Sequence, residues 1–153
     1  MNPVRNSIKA IIIANGHILL TKNADNEGVF YMLPGGGQEP GETMIDALKR
    51  ECLEELGVEV VPGDIELVRE YVGAHHEFAE WDADAHQVEF MFRCGIKDPP
   101  ESPKPSMPDT WQTGAEWVPL ARLGDYRIYP KILASAIRAE PTAGPPVYLG
   151  DVN

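Results

Sequence analysis

The sequence predicts an α+β domain in which a mixed sheet is layered with helices. Three observations carry that expectation. Short β-branched runs near the N-terminus are separated by an Asn-Gly pair, which is a hairpin signal. One long helix with an apolar stripe follows, and more strand-like runs come after it. The order strands, helix, strands, helix suits a layered mixed sheet better than a regular βαβ repeat. At 153 residues the chain has the length of one domain, and folding at that size buries roughly 68–70% of the surface exposed by the unfolded chain. Residues 1–153 are read as that domain, with 141–153 as a Pro/Gly-rich tail.

The first two strands are Ile8–Ala14 and His17–Thr21, joined at Asn15-Gly16, where a two-residue turn needs positive φ at both positions. Asn23–Gly28 reads as a loop, and Val29–Leu33 as a short strand leading into Pro34-Gly35-Gly36-Gly37. Thr43–Leu56 is the principal helix. Thr43 and Asp46 form a capping-box variant at its start. Ile45, Leu48, Cys52 and Leu56 recur on one face, and Gly57 stands just past the end, ready for a left-handed cap. Ile65–Val72 and Val88–Ile96 read as strands, with an acidic and aromatic stretch, His75–His86, between them. Asp98–Pro108 carries five prolines and reads as a stiff connection. Glu116–Val118 is expected to be the last strand, and Pro130–Ala139 a second helix with Pro in its first turn.

Composition narrows the function. Lys plus Arg number 13 against 24 Asp plus Glu, a formal charge of −11. A surface that acidic repels phosphate backbones and anionic lipid, so neither nucleic acid nor a membrane surface is expected as a partner. An anionic substrate would need a metal cation to mediate. The apolar run Ile8–Ala14 is too short to span a bilayer. The N-terminal stretch has no signal-peptide core or cleavage site, so the expected location is cytoplasmic. Cys52 and Cys94 make no disulfide framework or zinc cluster and read as small core residues.

The chemistry concentrates on the first helix. Opposite its apolar stripe stand Glu51, Glu54 and Glu55, within about a 100° arc and with neighbouring Cβ atoms about 5–6 Å apart. A solvated helix face partnered by Lys49 and Arg50 would also explain three such carboxylates. Two features argue otherwise. Glu54 and Glu55 occupy the last turn, where the helix dipole disfavours anions. A side-chain-free glycine run also lies just ahead, open to close approach by a phosphate or metal. That run is neither a Walker loop, since no Gly-Lys-Ser/Thr follows, nor a dinucleotide fingerprint. All-oxygen carboxylate clusters select hard cations, Mg2+ or Mn2+ rather than zinc, and such a cation keeps positions open for phosphate and water. The residues alone therefore point to metal-assisted phosphate chemistry.

The run from Gly36 through Glu42 to Arg50-Glu51-Cys52-Leu53-Glu54-Glu55-Leu56-Gly57-Val58 resembles the Nudix box in its full register. The one departure is Cys52, where a branched aliphatic residue is usual. Leu33-Pro34-Gly35-Gly36, the preceding hairpin and Trp117-Val118-Pro119-Leu120 extend the likeness to the Nudix hydrolase superfamily over most of the chain. The resemblance implies an α/β/α sandwich around a central mixed sheet, with the box as a loop–helix–loop catalytic motif. It implies a Mg2+-dependent pyrophosphohydrolase, with Mn2+ as substitute. Such an enzyme cleaves a nucleoside diphosphate linked to another moiety by water attack on phosphorus. Glu51 and Glu55 are the implied principal metal ligands, with Glu54 as a further one and the carbonyl of Gly35 or Gly36 completing the shell. Arg50 and Glu42 are implied to orient these carboxylates.

A general base from outside the box is often implied as well. Glu89, a lone acid among Val88, Phe90, Met91 and Phe92, is the favoured candidate, with Glu77, Glu80, Asp82 and Asp84 as others. An outward-facing strand position would equally account for Glu89. Arg5, Ser7 and Lys9 share a strand face that could line a nucleotide pocket, and a plain exposed face would equally account for them. Arg5, His86, Tyr31 and Tyr129 are carried forward as substrate contacts, although core packing also explains Phe30, Tyr31, Tyr126 and Tyr129.

Subfamily marks are mostly negative. Val72-Gly73 stands where many ADP-ribose hydrolases carry a proline, and Ala74–His76 where diadenosine-polyphosphate hydrolases carry a tyrosine. Neither a coenzyme A hydrolase signature nor an NADH-type array is found. Tyr129-Pro130 is followed by Lys131, Ile132 and Leu133, without the Asn of oxidised-purine sanitisers. The substrate is left as a nucleotide sugar, an ADP-ribose-like molecule or a nucleoside triphosphate. Two other readings stand beside the hydrolase. One is a non-catalytic nucleotide-binding or regulatory domain, usually marked by a broken box. The other is a diphosphate isomerase, for which Cys94 would have to be catalytic. Homodimers are common in the superfamily, and Trp81, Trp111 and the tail are the surfaces available for one.

Overall fold

The structure is a computed structural model that describes residues 2–98 and 111–153. Asn15 and Gly16 both have positive φ, 51° and 72°, and turn the chain from β1 (Arg5–Ala14) into β2 (His17–Asp25). β2 runs through the stretch expected as a loop. Only Asn26 and Glu27 form the next turn, with the Asp25 carboxylate accepting from the Glu27 N–H at 2.9 Å. β3 (Gly28–Met32) follows, then the glycine strand β4 (Gly35–Gly37). Helix α1 spans Met44–Leu56. Thr43 caps it by accepting from the Asp46 N–H, and Gly57 closes it in the left-handed region at φ 67°.

β5 (Val60–Val72) leads through a single 3-10 turn and the short helix α2 (Ala79–Asp82) into β6 (His86–Ile96). After the Pro-rich connection, whose residues 99–108 lie outside the described ones, come β7 (Gln112–Pro119) and a 3-10 segment, Leu120–Asp125. β8 (Ile128–Tyr129), α3 (Leu133–Ala136) and β9 (Val147–Asp151) complete the chain.

Three expectations for the C-terminal third are corrected. Glu116–Val118 lies in a longer strand that is not the last. The second helix is one turn rather than ten residues: the backbone turns extended at Ile137, ψ 133°, and Arg93 binds the Arg138 and Glu140 carbonyls beyond that point. The Pro/Gly-rich tail also contains β9, parallel to β5. Tyr148 holds that strand through its hydroxyl to Glu70 at 2.8 Å, and Asp151 through Val72 N–H, His75 and His76.

The sheet is mixed, in the order β8-β3-β2-β1-β6-β5-β9, with β4 also beside β1 and β7 beside β2. β1 and β2 pair only near their turn, at Ile13↔Ile18 and Ala14↔His17. Below that point the sheet splits, and β4 takes the flank of β1 that β2 has left. β1 is buried on both faces, which is why it reads as a continuous apolar run. Ile8, Ala10 and Ile12 pack with Leu48, Cys52 and Leu56 of α1 on one side. Ile11 packs with Leu20, Met91, Leu123 and Leu133 on the other. The result is an α/β/α sandwich. Both cysteines are free and buried, and burial pushes the Cys94 thiol up to about 12. Among the described residues no helix is long and apolar enough to cross a membrane.

Candidate active site

The split in the sheet brings β4 against α1. Gly35 donates its N–H to the Glu55 carboxylate at 3.0 Å. At Gly36 an added Cβ would lie 2.6 Å from the Glu51 carboxyl carbon. The glycines are thus needed for close approach: a side chain at Gly36 would displace Glu51. Glu55 is only 7% exposed, although the three glutamates were expected on the face opposite the apolar stripe. At 100° per residue Glu55 falls only about 20° from Leu48 on the helical wheel, at the edge of the buried stripe. That wheel position is the signal that separates Glu55 from Glu54, whose side chain is 31% exposed.

Arg50 ties the cluster together. Its Nε and Nη2 meet the two Glu42 oxygens at 2.7 and 3.0 Å, and Nη1 meets Glu51 at 2.9 Å and Glu54 at 3.5 Å. Nη2 also donates to the Gly37 carbonyl at 3.1 Å. The guanidinium beside Glu42 holds that carboxyl down at about 2, so Glu42 stays charged and keeps Arg50 fixed under the metal-ligand candidates. Gln112, which the sequence reading passed over, reaches the Glu55 carbonyl from β7 at 2.8 Å.

These residues suit a hard divalent cation. Glu51, Glu54 and Glu55 supply carboxylate oxygens, and the glycine strand leaves the space in front of Glu51 empty of side chains. Of the two candidate carbonyls, Gly36 falls at a hydrogen-bonded position of the β1 ladder. The flanking bonds are Ala10 N–H to Pro34 and Gln38 N–H to Asn6. The Gly35 carbonyl points out of the ladder and accepts from Lys9 Nζ at 3.1 Å, with a second lone pair remaining. Among the described residues no group of three or more His, Cys, Asp or Glu side chains is already gathered closely enough to hold a metal ion, Glu51, Glu54 and Glu55 included.

The remaining candidates lie elsewhere. Phe90 and Phe92 face α1, so Glu89 faces the other side of the sheet, where it is 2% exposed. Its two oxygens accept from Arg69 Nε at 2.7 Å and Gln87 at 3.1 Å. Burial pushes the Glu89 carboxyl up, but Arg69, Lys9 and Arg5 outweigh that and hold it below the usual range. An outward-facing strand residue does not describe it. Arg69, its partner, was missed because only the register Arg69↔Glu89 across β5 and β6 joins the two.

Tyr31 is a core residue, 8% exposed, edge-on to Tyr126 and bonded to Glu116 at 3.0 Å, rather than a stacking platform. Tyr129 is half-buried between Phe30 and Phe78 under Arg127. His86 pairs with Glu70 at 2.8 Å, Asp82 accepts from Tyr71, and Glu77 pairs with Lys131. Arg5 lies against Gly37 on the face of β1 that also carries Lys9.

A family model described as the NUDIX domain matches residues 4–137 of this chain. The chain belongs to the NUDIX family. The NUDIX fold recurs in solved structures. A NUDIX hydrolase from Nitrosomonas europaea superposes with TM-score 0.70 at 20% identity, covering 88% of this chain and 86% of that one. The MutT NUDIX hydrolase from Burkholderia pseudomallei gives 0.61 at 25% identity, covering 78% and 86%. Among curated proteins, the nucleoside triphosphatase NudI of Salmonella agona (strain SL483) is 47% identical over 64 residues. That stretch is 40% of this chain and 45% of the relative, so the match spans less than half the length of either.

In the NUDIX site the glycine strand offers a direct test. Gly36→Ala is expected to leave melting within a few degrees, because the side chain it meets is the far end of a glutamate. It should weaken Mn2+ binding about 10–100-fold by displacing Glu51. Paramagnetic titration of free Mn2+ measures this, and unchanged affinity would remove Glu51 from the metal set.

Proposed function

We propose that this NUDIX-domain chain is a divalent-metal-dependent pyrophosphohydrolase, with nucleoside triphosphates as the first substrate class to test. The observation that carries the reading is the trio Glu51, Glu54 and Glu55 on one turn of α1, with Glu51 and Glu54 held by Arg50 and Glu55 by the Gly35 N–H of a strand without side chains. The shared stretch with the NudI nucleoside triphosphatases supports the choice of substrate class.

In this reading Glu51 and Glu55 hold Mg2+, or Mn2+ in its place, with Glu54 and the Gly35 carbonyl as further ligands. A bound cation neutralises the phosphoric anhydride and lowers the pKa of a water for in-line attack on phosphorus. Arg50, fixed by Glu42, keeps the carboxylates oriented before the cation arrives. Glu55, buried against Gly35, is the anchored ligand, and Glu54 is the most exposed of the three. Glu89, held by Arg69 and Gln87 on the other side of the sheet from α1, is given no part in this reading.

The experiment is a phosphate-release screen at mildly alkaline pH with Mg2+ and then Mn2+. It covers nucleoside triphosphates, nucleotide sugars, ADP-ribose, dinucleoside polyphosphates and CDP-alcohols. The expected result is metal-dependent turnover of the triphosphates, abolished by chelation. Turnover of another class alone would replace the substrate assignment. A folded, metal-binding protein silent on every class would favour a nucleotide-binding domain without catalysis.

A further inference from the structure

The face of the sheet away from α1 holds a buried ammonium with no ion-pair contact among the described residues. Lys9 is 8% exposed. Its ammonium carries three N–H donors, and its one hydrogen bond among the described residues is to the Gly35 carbonyl at 3.1 Å. No carboxylate among the described residues lies within ion-pair distance of it. Glu89, the nearby acid whose charge it feels, accepts instead from Arg69 and Gln87 and makes no contact with Lys9. Arg5, two positions along the same face beyond Ser7, lies against Gly37 and likewise has no hydrogen bond or ion pair among the described residues. The floor formed by Arg5, Lys9, Arg69 and Glu89 therefore carries three positive charges and one negative in a chain of net charge −11.

A buried ammonium with one neutral acceptor is expensive to keep. Such a group is retained where an anion arrives to complete it. Its position says which anion. The residue that accepts from Lys9 through its carbonyl, Gly35, donates its N–H to Glu55. One glycine thus separates the ammonium from a carboxylate of the metal-ligand trio. A group bound at both must present anionic oxygens to a metal and to an ammonium together, which is the chemistry of a phosphate or diphosphate.

We propose that Lys9 binds a non-bridging phosphate oxygen of the substrate, anchored for that contact by the Gly35 carbonyl. The assignment rests on the pyrophosphohydrolase reading above and extends it to a residue outside the box. No bond to Lys9 is made or broken; it acts as a fixed positive charge, with Arg5 beside it at the open end of the same face.

The test uses methylenediphosphonate, whose P–C–P linkage cannot be hydrolysed, titrated calorimetrically into the full chain with saturating Mg2+. Lys9→Met and Lys9→Gln are expected to weaken its binding on the order of tenfold or more, and Lys9→Arg to recover most of the loss. Mn2+ affinity without the diphosphonate should not fall in any variant. Lys9→Gln keeps a donor for Gly35 but loses the charge, so wild-type affinity in that variant would reduce Lys9 to a loop anchor and overturn the proposal. So would unchanged affinity in Lys9→Met, or a loss of Mn2+ binding that parallels the loss of diphosphonate. Diphosphonate binding that ignores Lys9 in a protein that still turns over nucleotides would sink this assignment alone. A wild type with neither binding nor turnover would sink both readings.

Discussion

Glu55→Gln is expected to lower kcat for the preferred nucleotide by about 10²–10³-fold while leaving the protein folded, since a ligating carboxylate supports several kcal/mol of charge stabilisation in the transition state. Glutamine has the shape of glutamate, and its carbonyl oxygen can still accept from the Gly35 N–H that now meets Glu55 at 3.0 Å. What it loses is the charge, in a residue only 7% exposed. Stability should hold or rise, because a buried carboxylate at the C-terminal end of a helix opposes the macrodipole. Steady-state kinetics with a melting curve on the same sample measures both. Glu54→Gln should cost less, since that side chain is 31% exposed and 3.5 Å from Arg50. Equal losses at the two positions, or turnover by Glu55→Gln within about threefold of wild type, would show that Glu55 is not a principal ligand.

The second large effect concerns stability. Arg69 and Glu89 are 3% and 2% exposed in their side chains and meet at 2.7 Å. Removing one partner leaves the other buried and uncompensated, which costs about 3–5 kcal/mol. Glu89→Leu should show the larger loss within that range. It strands Arg69, Lys9 and Arg5 on one face without their shared anion, whereas Arg69 also bonds to the Val152 carbonyl and the Asn153 side chain. The double variant Arg69→Met/Glu89→Leu should recover a substantial part of the loss, since an apolar pair of similar volume is often close to neutral. Urea titrations of the two single variants and the double measure this as a cycle. Additive losses would mean that the two side chains do not stabilise each other, and Glu89 would again be open as a proton acceptor.

The parts of the molecule legible in the sequence are those made by neighbours along the chain. The Asn15-Gly16 turn, the cap at Thr43, the left-handed Gly57 and the stripe Leu48-Cys52-Leu56 each depend on a few consecutive residues. The spacing from Gly36 to Val58 lies within one loop and one helix, so the metal-ligand candidates could be named without knowing the rest of the fold. β9 was hidden because five residues of a Pro/Gly-rich tail have no reason to be a strand until β5, about 80 positions earlier, offers its edge. The ten-residue helix expected at Pro130 is one turn, and the chain after it runs extended, with a guanidinium on β6 bound to the Arg138 and Glu140 carbonyls.

Glu89 shows most clearly what tertiary structure adds. Its charge and its isolation among apolar neighbours were visible in Val88–Phe92, and both suggested chemistry. Three strands brought side by side gave those same features another cause: β1 contributes Lys9, β5 contributes Arg69, and the pleat turns all of them away from α1. Periodicity along one strand shows that a residue alternates, but the choice of face belongs to the neighbouring strands. Local chemistry therefore determined the box, its helix and the kind of cation it suits. The packing of distant strands decided which carboxylate is buried and paired and which lysine stands beside the glycine strand, because burial and charge pairing are properties of the assembled sheet.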